Sequence, residues 1–248
     1  MSAAPSRKKS PKAASEPVKV DATGAGWQTR VVNRSLDRAV KRSVERGQSF
    51  IDAATRLMEE TGSDSFTVQQ VADEAGVSLR TLYQHFTSKD DLLLAVWEEQ
   101  AARHVDYVRA EVEKYDDPLE RLAALILSGS RGSDTPVSRR TVALAQYRMR
   151  LVVTHPEDVV VVQAPFIALA QEVIDAAAKA GSINIRSVDH ATYIISTLKS
   201  AYLHSHVLGN ELGVEMPTVI ELAEFCLAGL GAELPKRFLL ESSSRASA

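Results

Sequence analysis

The stretch GVSLRTLYQHFTSKDDLL, Gly76 to Leu93, decides the fold. Just ahead of it, Thr67-Val-Gln-Gln70 has the capping-box pattern that opens a helix, and Val68, Val71, Ala72 and Ala75 follow as one apolar stripe. Gly76 suits the left-handed position that ends such a helix. Ser78 is a plausible N-cap for a second short helix, from about Leu79 to Phe86. Ser88 caps the next, with Asp90 and Asp91 set favourably against the dipole of its first turn. Two short helices joined by a tight turn at Gly76-Val77 have the spacing of a helix-turn-helix.

The outer face of the second helix is unusual for a helix built only to pack. Leu82 and Phe86 point inward, while Arg80 lies about 200° around the helix from Leu82. Arg80, Tyr83 and Gln84 therefore share an outward surface, with Ser78 and Thr81 at its N-terminal end. Arg suits guanine O6 and N7, Gln suits adenine, and a Thr methyl can touch thymine. Tyr83, His85 and Lys89, with the backbone N–H groups that start the capped helices, suit phosphate oxygens. Periodicity alone also allows an αα-hairpin with a solvated polar face.

Outward from this stretch the pattern stays helical. Phe50, Ala53, Ala54, Leu57 and Met58 form one face of a preceding helix that begins near Lys41 and stops at Gly62. The helix after Ser88 runs to about Tyr115, long enough to join two domains. Beyond Pro118 five more helical segments are expected, at roughly 118–130, 137–154, 158–180, 188–208 and 217–231. The β-branched run Val159 to Val162 is also compatible with a short strand. With no βαβ alternation, the fold class is all-α. The expected organisation is a basic, mostly disordered arm at 1–40, a head at 41–87, a larger helical domain at 88–234 and a disordered tail at 235–248.

Composition narrows the setting. The 248 residues are 45% hydrophobic and 25% charged, ordinary for a globular chain, and no apolar run approaches the ~20 residues of a membrane span. The single cysteine, Cys226, has no partner for an internal disulfide, so a reducing cytoplasm is the natural compartment. The N-terminus lacks the apolar segment of a secretory signal. Charge is uneven: residues 1–50 carry 11 Lys/Arg against 4 Asp/Glu, although the whole chain is at −3. A basic end on an acidic body suits a polyanion partner; a solvated tail without one is the alternative.

FTVQQVADEAGVSLRTLYQHFTSKDDLL, Phe66 to Leu93, resembles the DNA-binding signature of the TetR family of bacterial transcriptional regulators. The match lies in Thr67, Val71-Ala72, Ala75 to Ser78, Thr81-Leu82-Tyr83, Phe86, Lys89 and Leu92, within about residues 43–100. The remainder matches only in being helical and of suitable length. The resemblance implies an N-terminal three-helix, helix-turn-helix DNA-binding domain and a C-terminal ligand-binding and dimerisation domain. It implies a homodimer on a pseudo-palindromic double-stranded operator, released by a small-molecule effector. Carried over by position, Arg80 and Thr81 resemble base-facing residues, joined by Gln84 from the outward surface. Thr67, Ser78, Tyr83, His85 and Lys89 resemble backbone contacts. The arm is longer than the family's usual lead. Its Arg30, Arg34, Arg38, Lys41 and Arg42 are candidates for phosphate or minor-groove contact; a flexible arm without a role is the other reading.

The last two strong segments carry wide apolar faces suited to a dimer seam as well as a core, and Ile195, Leu198, Tyr202, Leu222 and Cys226 are the interface candidates. Trp97, Tyr147 and Phe166 are candidates for an apolar pocket, with Gln146, Arg148 or Arg150 as polar anchors. Enzymatic, metal and cofactor chemistry finds no support. His204 and His206 are two apart and face differently on a helix, Gly24-Ala-Gly26 follows no strand, and Asp189-His190 has no nucleophile. The alternative function keeps the same head in a ligand-independent activator or architectural factor whose C-terminal domain binds a protein.

Overall fold

The computed structural model describes residues 27–128 and 137–245, with side chains from 31 to 240 within those limits. Every regular element among them is a helix: α1 Trp27–Thr61, α2 Val68–Glu74, α3 Leu79–Tyr83, α4 Lys89–Val112, α5 Pro118–Leu127, α6 Arg139–Thr154, α7 Pro156–Lys179, α8 Val188–Leu208, α9 Val219–Gly229 and α10 Lys236–Arg245. The chain falls into two compact units, one up to Glu45 and one from Arg46 onward.

Within the first unit the structure differs from the expected disordered arm. α1 begins at Trp27 rather than near Lys41. No glycine or proline interrupts residues 27–45, so local propensity sustains the helix although residues 31–45 are all exposed. Val32, Leu36, Val40 and Val44 recur every four residues, a helical spacing, yet all stay more than half exposed. Residues 1–26 of the expected arm lie outside the described residues.

The second unit holds two hydrophobic clusters. The first gathers Phe50, Ala53, Ala54 and Met58 of α1, Val71 and Ala72 of α2, Leu82 of α3, and Leu92, Leu93, Val96 and Trp97 of α4. It also takes Ala143, Leu144, Tyr147 and Leu151 from α6, and Val159 and Val162 from α7. The helix-turn-helix is thus cored partly by later elements, and no gap in packing falls at the expected 87/88 boundary. The second cluster joins the C-terminal half of α4 to α5, α7, α8, α9 and α10, from Val105 to Phe238.

Local chemistry sets the element ends. Thr67 and Gln70 make the reciprocal capping box, and Gly76 sits at φ +66° in the left-handed region. α3 ends at Tyr83 rather than Phe86 because the chain tightens: the Gln84 N–H reaches the Thr81 carbonyl and the His85 N–H reaches that of Leu82. The Val159–Val162 run is helical, not a strand: Val159 and Val162, three apart, are buried while Val160 and Val161 are exposed. α7 has the length and hydropathy to cross a membrane, but Leu169, Ala170, Val173, Ile174 and Ala177 are in the protomer's core.

The expected disordered tail at 235–248 is a second correction. α10 packs Phe238 against the Tyr115 ring with centroids 5.2 Å apart, while Arg237 bridges to Glu120 at 3.0 Å. The apolar run Phe238-Leu239-Leu240 is short and is followed by the polar ESSSR, too little to announce a helix by period, yet Leu234 and Phe238 are buried.

Candidate nucleic-acid interface

The reading surface is built by two caps and one turn. The Ser78 hydroxyl accepts from the Thr81 N–H and opens α3, and Leu82 anchors the helix from beneath, fully buried. Arg80, Tyr83 and Gln84 are consequently exposed side by side. Thr81 is half-buried and its hydroxyl pairs with that of Ser78 at 2.8 Å. Thr67 is exposed and holds Gln70 through both its N–H and its hydroxyl.

Two of the expected phosphate contacts have structural partners. Lys89 donates to the Asp64 carbonyl oxygen, and its ammonium stands 4.9 Å from the centre of the Phe66 ring. His85 is half-buried with its ring 5.8 Å from that of Phe50. Both therefore secure α3 and α4 to the head, a role that the helix-turn-helix pattern does not reveal. Arg34, Arg38, Lys41 and Arg42 are exposed along the first part of α1, and Lys41 approaches Glu45 at 3.9 Å. The side chain of Arg30 lies outside the described residues.

α6 grips this head. Arg139 donates to the Glu60 carbonyl at 2.7 Å, and the Arg140 N–H meets the Glu59 carboxylate at 3.2 Å. The Tyr147 hydroxyl donates to the Asp90 carbonyl at 3.0 Å. Arg150 pairs with Asp64, lies 3.9 Å from Asp90, and sits 5.1 Å over the Tyr147 ring. Burial, and after it the Asp90 charge, push the Tyr147 phenol above its usual range, so it is neutral and fixed as a donor. Arg139, Tyr147 and Arg150 recur at helical spacing, a signal that reads equally as ordinary packing.

The expected pocket residues do not come together. Trp97 and Tyr147 are buried in the head's cluster, whereas Phe166 packs on the C-terminal one. A shallow groove of about 290 Å³ lies between α4 and α7, lined by Glu98, Ala102, Val105, Asp106, Val161, Val162 and Pro165. Deeper inside, polar groups collect on α8. Lys199 is buried and donates to the Leu125 carbonyl and to the carbonyl and hydroxyl of Ser128, the last two at 3.2 and 3.1 Å. Its ammonium stands 5.4 Å from the Phe166 ring, which stacks on His104 at 5.8 Å. Burial lowers the Lys199 ammonium to about 7 and holds His104 below its usual range. Arg148 of α6 reaches Gln163 at 3.2 Å, Ser200 at 2.9 Å and His204 at 3.4 Å.

Of the expected interface residues, Ile195, Leu222 and Cys226 are buried in the protomer's own core. Leu198 and Tyr202 pack against its edge. The most exposed large apolar residues of α8 and α9 are their neighbours Tyr193, Ile194 and Phe225, at 73%, 56% and 69% exposure. One step along a helix turns a side chain by about 100°, so these residues lie on a different face from the buried ones.

Comparison with known proteins fits this geometry. Residues 50–96 match the family model described as bacterial regulatory proteins, tetR family. The HTH-type transcriptional regulator HbdR of Aromatoleum sp. (strain CIB) is 36% identical over 78 residues, 32% of this chain and 34% of that protein. The chain thus spans about a third of the length of that curated relative. By fold, the chain is similar to RolR in complex with resorcinol (TM-score 0.58, 21% identity, 78% of this chain and 91% of that one). It is also similar to FadR from Bacillus subtilis in complex with stearoyl-CoA (TM-score 0.59, 17% identity, 76% and 99%). The capped helix-turn-helix with its exposed Arg–Tyr–Gln face lies within the matched stretch, so the head of this chain is similar to that of the bacterial regulatory proteins of the tetR family.

Proposed function

We propose that the chain is a homodimeric transcriptional repressor that leaves its operator when a small molecule enters the C-terminal domain. The observation that carries this reading is the exposed Arg80, Tyr83 and Gln84 face on a helix seated by Leu82. In a two-fold dimer, two such faces about one helical turn apart, ~34–36 Å, would read successive major grooves. Arg80 and Gln84 would contact base edges. Tyr83 and the Thr67 and Ser78 caps would position the head on phosphates, and Arg34, Arg38, Lys41 and Arg42 would add phosphate contacts of their own.

Tyr193, Ile194 and Phe225 are the favoured dimer contacts, because they leave large apolar area in water on adjacent helices. Effector response would travel through α4 and α6, since both connect the two hydrophobic clusters or the head to α8. Arg148 joins α6 to α8, and Tyr147 next to it joins α6 to the start of α4. The effector need only prefer one arrangement of that grip. Resorcinol on RolR and stearoyl-CoA on FadR support an organic ligand for this fold, without naming the one used here.

The test is operator selection from random DNA, followed by fluorescence anisotropy. Arg80→Ala should cost ~1–3 kcal/mol at one base position and relax specificity there. Phe225→Glu should give a monomer in sedimentation and weaken operator binding. If selection yields no preferred sequence, or Arg80→Ala binds with wild-type specificity, the reading falls.

A further inference from the structure

Buried polar groups in a folded chain nearly always find partners, so several orphans in one place ask for an explanation. Among the described residues, four buried side-chain polar atoms lack a hydrogen-bond partner, and three of them are Arg148 Nε, Thr192 Oγ1 and Ser196 Oγ. Thr192, Ser196 and Lys199–Ser200 succeed one another at i, i+4 and i+7/8, so they form one stripe of α8. Arg148 leans onto that stripe through Ser200.

Charge is the second peculiarity. Lys199 has three acceptors but, among the described residues, no carboxylate partner. Arg148 is likewise held only by the neutral groups of Gln163, Ser200 and His204. Burial keeps His104 and His204 below their ordinary range, and the neighbouring cations reinforce it, so neither histidine adds a further positive charge. Burying a cation without an anion is costly, and the cost is recovered when an anion arrives. The stripe has a half-buried mouth, at Gln163, Ser200 and His204, and a buried floor at Thr192 and Lys199. Phe166 and Ile195 supply apolar surface beside it.

We propose that this stripe is an anion seat for a compact organic carboxylate with an apolar body. The carboxylate would accept from Arg148 Nε and the Thr192 and Ser196 hydroxyls, the Lys199 ammonium, whose three N–H groups are held by Leu125 and Ser128, would supply positive charge beside it, and the apolar body would lie against Phe166. As the effector seat it rests on the reading of the chain as a ligand-released regulator; as a binding site it does not. An ammonium that binds no anion would be better replaced by a hydrocarbon of the same length, so the seat trades stability of the empty protein for affinity.

The test uses the full chain and paired probes: 2-naphthoate and octanoate against 2-naphthamide and octanamide, titrated by calorimetry without DNA. At least one carboxylate should bind once per chain, and its amide at least about tenfold more weakly. Lys199→Met and Arg148→Met should abolish that preference. Thr192→Val with Ser196→Ala should raise the melting temperature of the empty protein while weakening the carboxylate, an opposition that a purely structural role would not produce. Equal binding of acid and amide, no binding by either acid, or an unchanged preference in Lys199→Met each overturns the seat. Operator anisotropy is read separately. Carboxylate binding that leaves operator affinity untouched upholds the seat and overturns its role as effector site.

Discussion

Replacing Tyr147 by Phe isolates one strand of the grip between α6 and the head. Tyr147 is buried, so the ring stays packed in the head's cluster after the change and Arg150 keeps an aromatic face beneath it. Only the hydroxyl bond to the Asp90 carbonyl is lost. That carbonyl sits in the first turn of α4 and keeps its helical acceptor role toward the residue four later, so no buried group is orphaned. The cost is therefore that of one hydrogen bond, about 1 kcal/mol. Tyr147→Ala removes the ring as well and should cost ~3–5 kcal/mol through the cavity it leaves. Urea unfolding followed by tryptophan fluorescence is a suitable assay, because Trp97 lies in the same cluster. The sign of the pH dependence is also set. The phenol's pKa is raised above 10, so the native state keeps a proton that the unfolded chain releases near pH 10, and stability falls as pH rises past that value. Tyr147→Phe should flatten this fall. A loss below about 0.3 kcal/mol in Phe, or equal losses in Phe and Ala, would refute the hydroxyl's part in the grip.

Three further outcomes are expected. Gly76→Ala meets no atom within 4 Å of the added Cβ, so only its φ of +66° matters, and thermal melting should show a loss of ~1–2 kcal/mol. Phe238→Ala should cost ~3–5 kcal/mol in chemical unfolding, since its ring is buried against Tyr115; a neutral result would mean that α10 does not pack. For Lys199, burial sets the folded value at about 7 against 10.5 in the unfolded chain, opposed only by the Cys226 thiolate. The unfolded state binds more protons between those values, so stability should rise with pH from 7 to 10.5, and Lys199→Met should remove that slope in urea titrations.

How far the sequence was legible follows from what each residue signals locally. Caps and turns were readable because their chemistry is short-range: Thr67 with Gln70, Ser78 with Thr81, Ser88 with Asp91 and the left-handed Gly76 all hold as expected. Leu82 inward and Arg80 outward follow from period alone. Long-range partners were not readable. Nothing near Lys89 announces the Asp64 carbonyl 25 positions earlier, and nothing near Lys199 announces Leu125. Trp97 and Tyr147 look like pocket aromatics until the fold brings them into the head's core. Which side of α8 and α9 the protomer buries was not readable either, because both faces are apolar and only the packed protomer shows which one it consumes. The early start of α1 escaped although Val32, Leu36, Val40 and Val44 recur every four residues, because the basic, Pro- and Ser-rich lead before them reads as a tail.

The sharing of one hydrophobic cluster between α1–α4, α6 and α7 limits what can be exchanged by protein engineering. A hybrid that joins another regulator's head to this sensor at residue 88 would cut through a continuous core. The borrowed head would meet Leu144, Tyr147 and Leu151 with side chains selected against a different neighbour, and Arg139 and Arg150 with no matching carbonyl or carboxylate. A working graft would have to bring the corresponding face of α6 with it. On the proposed reading, operator preference is therefore easier to change at Arg80 and Gln84, on the outer surface, than by replacing the head entire.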